Sequence, residues 1–589
     1  MSVKYKNLLD WILTKPWTKN YDDYVPREIS IRVDTIQGVF REVAKEVPRK
    51  TFLIFFNKKY TYEEIDLLSD AMALMLVDDG LKKGDVVAVQ LPNTPQYVIT
   101  LLGVLKAGGI LTPMNPLYTS TEIAYQIKNS NAKYFVTLDL FFERYREIER
   151  EVDMRRVYVT SIADALRFPL NTLYRLKEKP PKIRETERIK LLLPRLKRYM
   201  SELRRGAKKL PEISVSPDEP ALLMYTGGTT GIPKGAVILH KNVVANMQQV
   251  AEWHPPKRDR EKRDYIYAGV LPWFHIYGLV ATLMTGIYTR STIVVFPRWD
   301  LEFVLKSIQK HKIELLHGVP TIYTYIVNNP MSRKYKLNSL IAAISGAAPL
   351  PVEVLKKFES LTGASLREGY GLTETAVVTH VNPIKGRYKP GSIGVPIPNT
   401  YAAIAHPEEP ILLPPGEVGE IVISGPQVFA GYHNMPEENA KVFFELGGLK
   451  WFRTGDMGYM DEEGYFYVVD RKKDLIKYKG YSVYPREIEE LLYKHEAVYE
   501  AAVVGVRDPE GVAGEIPVAL VVLRKEFENK ISEQDLMEYL RKHLAPYKMP
   551  RRILFVRELP KSAVGKILKR VVRENIKAEI VGGELIIKY

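Results

Sequence analysis

A strand that runs into a glycine-threonine loop constrains this chain more than any other stretch. Leu222–Tyr225 is a short apolar run of strand character, and it passes into Tyr225–Ala236, YTGGTTGIPKGA. Gly227, Gly228, Gly231 and Gly235 admit dihedrals closed to other residues and let backbone come close to a ligand. Thr226, Thr229 and Thr230 bring hydroxyls, and Lys234 adds a point charge. Successive amides of such a loop make a concave nest for an anion, and a lysine beside it suits a polyphosphate. The Walker A pattern, GxxxxGK[ST], fails on register, since Pro233 precedes Lys234 and Gly235 follows it where Ser or Thr belongs. The loop therefore reads as phosphate-binding without being a P-loop NTPase; the plainer alternative is a Gly/Thr-rich surface turn.

Around the loop, short apolar runs alternate with helical periods. Val86–Gln90, Ile110–Thr112 and Tyr134–Leu138 read as strands, with helices over Thr94–Ala107 and Ser120–Asn129. Beyond the loop the spacing predicts a strand and helix over Ala236–Gln249, helices over Leu279–Ile287 and Glu302–His311, and strands at Thr292–Val295, Glu314–Gly318 and Ala342–Ser345. Alternation of this kind points to parallel sheets covered by helices. With 589 residues, two or more domains are expected.

The net charge of +15 raises the question of nucleic acid, yet Ala165–Leu210 alone holds 15 Lys/Arg against 4 Asp/Glu. One basic insertion makes the chain basic, and it reads as a peripheral excursion with short amphipathic pieces rather than as a domain. An anionic membrane surface suits it better than nucleic acid, and a solvated, flexible insertion is the plain alternative. There are no cysteines, which excludes disulfides, thiolate metal sites and cysteine nucleophiles and fits a cytoplasmic protein. The N-terminal stretch carries Asp10 inside its apolar portion and lacks a signal-peptide core. The uncharged run Tyr265–Thr289 is broken by Pro272, His275, Gly278 and Gly286, so no transmembrane segment is expected.

Four further stretches carry chemistry. Arg367–Thr375, REGYGLTET, has Glu374 where a dinucleotide fingerprint needs glycine; Thr373 and Glu374 supply hard oxygens suited to magnesium held against phosphates, or a helix cap. Trp451–Asp456, WFRTGD, places Asp456 after a glycine turn, where an acid can accept a ribose hydroxyl pair. Asp470–Tyr481, DRKKDLIKYKGY, gathers Arg471, Lys472, Lys473 and Lys477, and Pro560–Arg570, PKSAVGKILKR, exposes Lys566 after Gly565.

In their order and spacing these five motifs resemble the adenylate-forming superfamily of acyl-CoA synthetases, luciferases and peptide-synthetase adenylation domains, from about residue 30 to about 575. One departure is visible: Gly227 stands where the family's YT[ST]GTTGxPKG loop has a hydroxyl residue. The resemblance implies an α/β chain with a large N-terminal domain of helix-covered β-sheets plus a β-barrel-like subdomain, over 1–470. A small mobile α+β C-terminal domain, 471–589, would follow a hinge near Lys473. It implies that Thr226, Gly227, Gly228, Thr229, Thr230, Gly231 and Lys234 hold the ATP phosphates, with Thr226 and Glu374 around Mg²⁺. Gly346, Ala347, Glu368, Gly369 and Tyr370 would line the adenine and the acyl carboxylate, and Asp456 and Arg471 the ribose. Lys566 would bridge the carboxylate and the α-phosphate, and Gly480 would reach the thioester site once the small domain turns. His275 occupies the family's position beside the acyl pocket, unless it is a satisfied core imidazole.

The segment Ala165–Leu176, ALRFPLNTLYRL, resembles the insertion of long-chain fatty-acid–CoA ligases. The pocket candidates Trp273, Ile276, Tyr277, Gly278, Tyr323 and Val378 are apolar or aromatic, apart from the glycine, and offer no cation for a second carboxylate. A medium- to long-chain fatty acid is therefore the expected substrate. Coenzyme A is the expected acceptor, because a nucleotide phosphate suits Lys477 and Lys479. Loading of a carrier protein, another carboxylic acid, and a non-catalytic basic membrane-binding relative are the alternatives. A peripheral contact at the inner face of the membrane and a homodimer are compatible with the chain; a nucleic-acid partner is not expected.

Overall fold

The computed structural model describes residues 8–226, 233–257, 264–479, 481–509, 513–561, 567–581 and 584–589. Strand–helix alternation builds two large sheets. One runs, edge to edge, Gly431–Tyr432, Lys234–Leu239, Pro220–Thr226, Ile110–Pro113, Val86–Gln90, Tyr134–Leu138, Arg156–Thr160 and Ile189–Leu191. It is parallel except where Lys234–Leu239 turns back on Pro220–Thr226 and Gly431–Tyr432 pairs with it. The other runs Val395–Pro396, Val377–Val381, Ser365–Leu372, Ala342–Ser345, Leu315–Gly318, Ile266–Gly269, Thr292–Val295, Thr51–Phe55 and Lys58–Thr61.

Helices form where sequence and packing agree. Pro95–Lys106 starts on Thr94, whose hydroxyl accepts the Tyr97 amide, and has proline in its first turn. All its residues are buried, as expected of a helix apolar all round. The helix expected at Leu279–Ile287 is instead a π-helix over Tyr277–Met284 followed by one α-turn, Thr285–Tyr288. Two contacts accompany the wider winding. A Cβ on Gly278 would lie 2.4 Å from the Pro272 carbonyl, and Thr285 Oγ1 donates to the Val280 carbonyl five residues back.

The barrel-like part is a six-stranded antiparallel sheet containing Tyr401–Ala405, Gly419–Ser424 and the long strand Leu449–Met460, with Phe466–Arg471 paired to the latter. Val498–Arg507, Glu515–Leu523 and Arg552–Phe555 form a separate three-stranded sheet covered by helices Pro485–Lys494, Glu533–Arg541 and Lys569–Asn575. Its apolar core, from Ile476 to Ile587, is distinct from the one spanning Ile12 to Phe466. A polar contact crosses the seam: Asp470 accepts the Arg486 amide at 2.7 Å.

The basic insertion is not the peripheral excursion its composition suggests. Ile189–Leu191 adds an edge strand to the eight-stranded sheet, and helix Leu192–Arg204 buries Leu192, Leu196 and Tyr199 against the large core. Several of its cations are bound within the fold. Arg195 meets Asp79 at 2.6 Å, the same carboxylate receives Tyr158 Oη, and Lys208 pairs with Asp78. Helix Leu170–Glu178 differs, because none of its residues is buried.

Candidate adenylation site

The antiparallel pair Pro220–Thr226 and Lys234–Leu239 brings Thr226 opposite Lys234, with Thr226 Oγ1 3.4 Å from the Lys234 carbonyl. Gly227, Gly228, Thr229, Thr230 and Gly231, expected at the phosphates, lie outside the described residues, as do Gly480 and Lys566. Lys234 Nζ is 2.5 Å from Glu438 Oε2 and 5.2 Å from the Tyr432 ring. Its charge holds the Glu438 carboxyl below the usual carboxylate range.

Strand Ser365–Leu372 carries Glu368, Gly369 and Tyr370 and then breaks register at Gly371. No side chain fits there, since a Cβ would fall 1.4 Å from the Val377 carbonyl. That close approach makes the turn holding Thr373 and Glu374, with Ala376 and Val377 both at positive φ. Glu374 Oε1 accepts Tyr432 Oη at 2.7 Å, and its carbonyl accepts the Phe429 amide at 2.9 Å.

Asp456 and Arg471 face each other across paired strands, Arg471 Nε 3.0 Å from Asp456 Oδ1. Tyr370 Oη donates to the second oxygen of Asp456 at 2.6 Å. The buried Asp456 carboxylate raises the guanidinium further, while burial and then the same carboxylate push the Tyr370 phenol up, so Tyr370 remains a donor. Glu368, 9% exposed, accepts the Leu350 and Gly391 amides; burial still lifts its carboxyl above the ordinary value.

The acyl candidates are close-packed. Tyr277 and Tyr323 both donate to the Ile344 carbonyl, at 3.0 and 2.8 Å. Ile344 lies in strand Ala342–Ser345, just before Gly346 and the positive-φ Ala347, and a Cβ on Gly346 would sit 3.0 Å from the Tyr277 ring. Ile276 and Gly278 are buried beside Tyr277. Trp273 is fully buried, with its ring centroid 5.9 Å from that of Tyr97. His275 is half-buried, its Nδ1 accepting the Tyr277 amide at 3.3 Å.

Lys477 and Lys479 stand apart from this cluster on the small domain. Their amides are tied to Glu515 and Ala513, and both side chains are exposed. Lys473, just after Arg471, is exposed, yet the surrounding chain and the Arg471 charge bring its ammonium down to about 8. Tyr432 and Glu438 join this cluster without being singled out by the sequence; their local signal is a Pro436–Glu437–Glu438 helix start, which reads as an ordinary solvated turn.

No set of three or more His, Cys, Asp or Glu able to hold a metal occurs among the described residues. Glu374 Oε2 makes no hydrogen bond among the described residues. One carboxylate and one hydroxyl fit magnesium, which takes most of its ligands from phosphates and water.

An AMP-binding enzyme domain matches residues 40–433, and an AMP-binding enzyme C-terminal domain matches 487–566. The long-chain-fatty-acid–CoA ligase of Bacillus subtilis (strain 168) is 44% identical over 567 residues, 95% of this chain and 98% of that one. The Salmonella typhimurium protein of the same name is 33% identical over 575 residues, 96% and 99% of the two chains. Among solved structures, ATP-bound MatB from Rhodopseudomonas palustris superimposes with a TM-score of 0.77 at 28% identity, covering 92% of this chain and 99% of its own. Matches of this extent across both units establish that the chain belongs to the adenylate-forming, AMP-binding enzyme family.

Proposed function

We propose that the chain activates a medium- to long-chain fatty acid with ATP, releasing pyrophosphate, and passes the acyl group to coenzyme A, releasing AMP. The convergence of Lys234, Glu374, Tyr370, Asp456 and Arg471, drawn from separate strands and turns, carries this reading. The two CoA-ligase relatives support it. The apolar and aromatic surroundings of Tyr277 and Tyr323 suit an alkyl chain better than a second charge.

A carboxylate is a poor acylating agent, so the acid must first attack the α-phosphorus and expel pyrophosphate. Asp456 orients the ribose by accepting its hydroxyls, a role Tyr370 and Arg471 prepare by fixing the carboxylate. Lys234 neutralises charge growing on the leaving pyrophosphate. Magnesium, held by Glu374 and Thr226 together with phosphate oxygens, would screen the triphosphate when bound. Lys566 takes the α-phosphate end in this scheme, and rotation about the segment near Lys473 exchanges it for the Gly480 loop and its neighbours Lys477 and Lys479. A coenzyme A thiol then attacks the acyl carbon and AMP departs.

Pyrophosphate release with ATP, Mg²⁺ and palmitate tests the first half, with loss on the order of 100-fold expected for Lys566→Ala. Release that is absent, or untouched by that substitution, sinks the reading. Adding coenzyme A should then yield palmitoyl-CoA; accumulated adenylate would point to another acceptor.

Peripheral contact with an anionic membrane is a finer part of the same reading. No helix among the described residues is long and apolar enough to cross a bilayer. Helix Leu170–Glu178, however, presents Leu173 and Leu176 at 54% and 67% exposure, next to Phe168 at 79%, among Arg167, Lys177 and Lys179. Co-sedimentation with vesicles containing anionic lipid should fall when Phe168, Leu173 and Leu176 are all replaced by serine. Unchanged binding removes the proposal.

A further inference from the structure

We infer that the segment Gly431–Glu438 is a substrate-displaced latch on the phosphate side of the site, with Glu438 and Tyr432 as positioning residues for Lys234 and Glu374. The inference rests on the adenylation reading above.

The latch is built into the backbone. Gly431–Tyr432 is an edge strand on the strand that begins at Lys234, with Gly431 opposite Val237 and Tyr432 opposite Ala236. The His433 amide extends this ladder to the Gly235 carbonyl at 2.8 Å. Asn439 then folds back on Tyr432. Its Oδ1 accepts the Tyr432 amide at 2.7 Å and its Nδ2 donates to the Tyr432 carbonyl at 3.0 Å. Gly431 has φ 143, and a Cβ there would come within 2.9 Å of the Asn439 amide oxygen. Glu438 is therefore held next to Lys234 by three separate backbone and side-chain constraints. It is not a surface carboxylate that happens to swing within reach.

From that frame Glu438 takes the Lys234 ammonium at 2.5 Å, while Tyr432 lies beneath it and donates to Glu374 at 2.7 Å. Glu438 is acceptor-only as a carboxylate and would repel a polyphosphate bound at the same lysine. The two anions must exchange at Lys234. Lys441 Nζ, 3.7 Å from the other Glu438 oxygen and 70% exposed, offers the displaced carboxylate a second seat. Once pyrophosphate departs, Glu438 recaptures Lys234 and opposes rebinding of the product. Tyr432 holds Glu374 in one orientation throughout.

The deciding measurement is pyrophosphate affinity by calorimetry, which needs no turnover and so stays informative even if palmitate is the wrong acid. For Glu438→Gln we expect pyrophosphate to bind about two- to five-fold more tightly, the range of a partly exposed ion pair, with the KM for ATP falling in parallel. The KM for the fatty acid should not move. In a Lys234→Ala background the same substitution should change pyrophosphate affinity by less than about two-fold, since coupled effects vanish when the partner is gone. Glu438→Asp, which keeps the charge but shortens the reach, should fall between. For Tyr432→Phe, the Mg²⁺ concentration giving half-maximal ATP binding by calorimetry should rise about three-fold or more at unchanged fatty-acid KM. A merely structural Glu438 would weaken pyrophosphate and ATP or leave both unchanged, and either result overturns the latch. An unshifted Mg²⁺ requirement in Tyr432→Phe overturns the Tyr432 part.

Discussion

The buried histidines predict where this protein becomes unstable in acid. His380, His317 and His240 are pushed down by burial to about 3, about 4 and about 4. All three lie in the large domain, on the strands Val377–Val381 and Leu315–Gly318 and at the start of helix His240–Trp253. A histidine whose folded pKa is depressed costs nothing above about pH 6.5, where both states are neutral. Below that the unfolded chain binds protons that the fold refuses, so stability falls with pH down to the folded values. At pH 5 each should cost about 2 kcal/mol, or about 6 kcal/mol together, against a total of about 5–15 kcal/mol for a domain. Glu368 and Asp139, whose carboxyls burial raises, act with the opposite sign and soften the slope. His380 isolates one share. Its Nδ1 meets Thr379 Oγ1 at 2.9 Å, its Nε2 is buried without a partner, and its ring packs 4.7 Å from Phe466. His380→Asn should lower stability at every pH by lost packing. Its loss between pH 8 and pH 5 should nonetheless be about 2 kcal/mol smaller than in the parent. Urea unfolding at the two pH values, followed by tryptophan fluorescence, gives that difference directly. If the variant and the parent lose the same amount, His380 is not held neutral by its surroundings and the reasoning fails.

The insertion offers a cleaner packing contrast. Leu196→Ala should destabilise by about 2–5 kcal/mol, whereas Leu173→Ala on the exposed helix should stay within about 0.5 kcal/mol in the same denaturation assay. A flat response at Leu196 would return the segment to a loose surface excursion. At the site, Asp456→Asn should raise the KM for ATP by roughly 10- to 100-fold through weakened hydrogen bonds to a charged group, with the fatty-acid KM unchanged; equal shifts in both would mean a general collapse. Lys473, at about 8, should be labelled by an acylating reagent at pH 8 faster than an ordinary lysine with a pKa of about 10.4 would be. Mass spectrometry showing no preference would contradict the lowered value.

What could be read from the sequence divides by the range of the cause. Val86–Gln90 and Pro95–Lys106 are written in local periodicity and in a Thr-Pro helix start, so strand and helix were legible there to within a residue or two. The π-turn at Tyr277–Met284 was not, because apolar periodicity alone does not separate a π-wound segment from an α-helix. The insertion failed for a related reason. Leu192, Leu196 and Tyr199 already have the spacing of a buried helical face, but the surrounding cations outweighed it. Only the fold shows that Arg195 answers Asp79, 116 residues earlier, and Lys208 answers Asp78. The site splits the same way. Asp456, Arg471 and Tyr370, which the structure brings into contact, all lie in motifs visible in the sequence, whereas Glu438 meets a lysine 204 residues away. A sequence therefore shows a charged residue's type and leaves its job open until a partner is located. Lys234, taken alone, suggested an open phosphate cradle. Under the latch inference, Lys234 with Glu438 is a cradle that its ligand must compete to enter, so removing that carboxylate should strengthen the hold on pyrophosphate, where an open cradle would leave it unchanged.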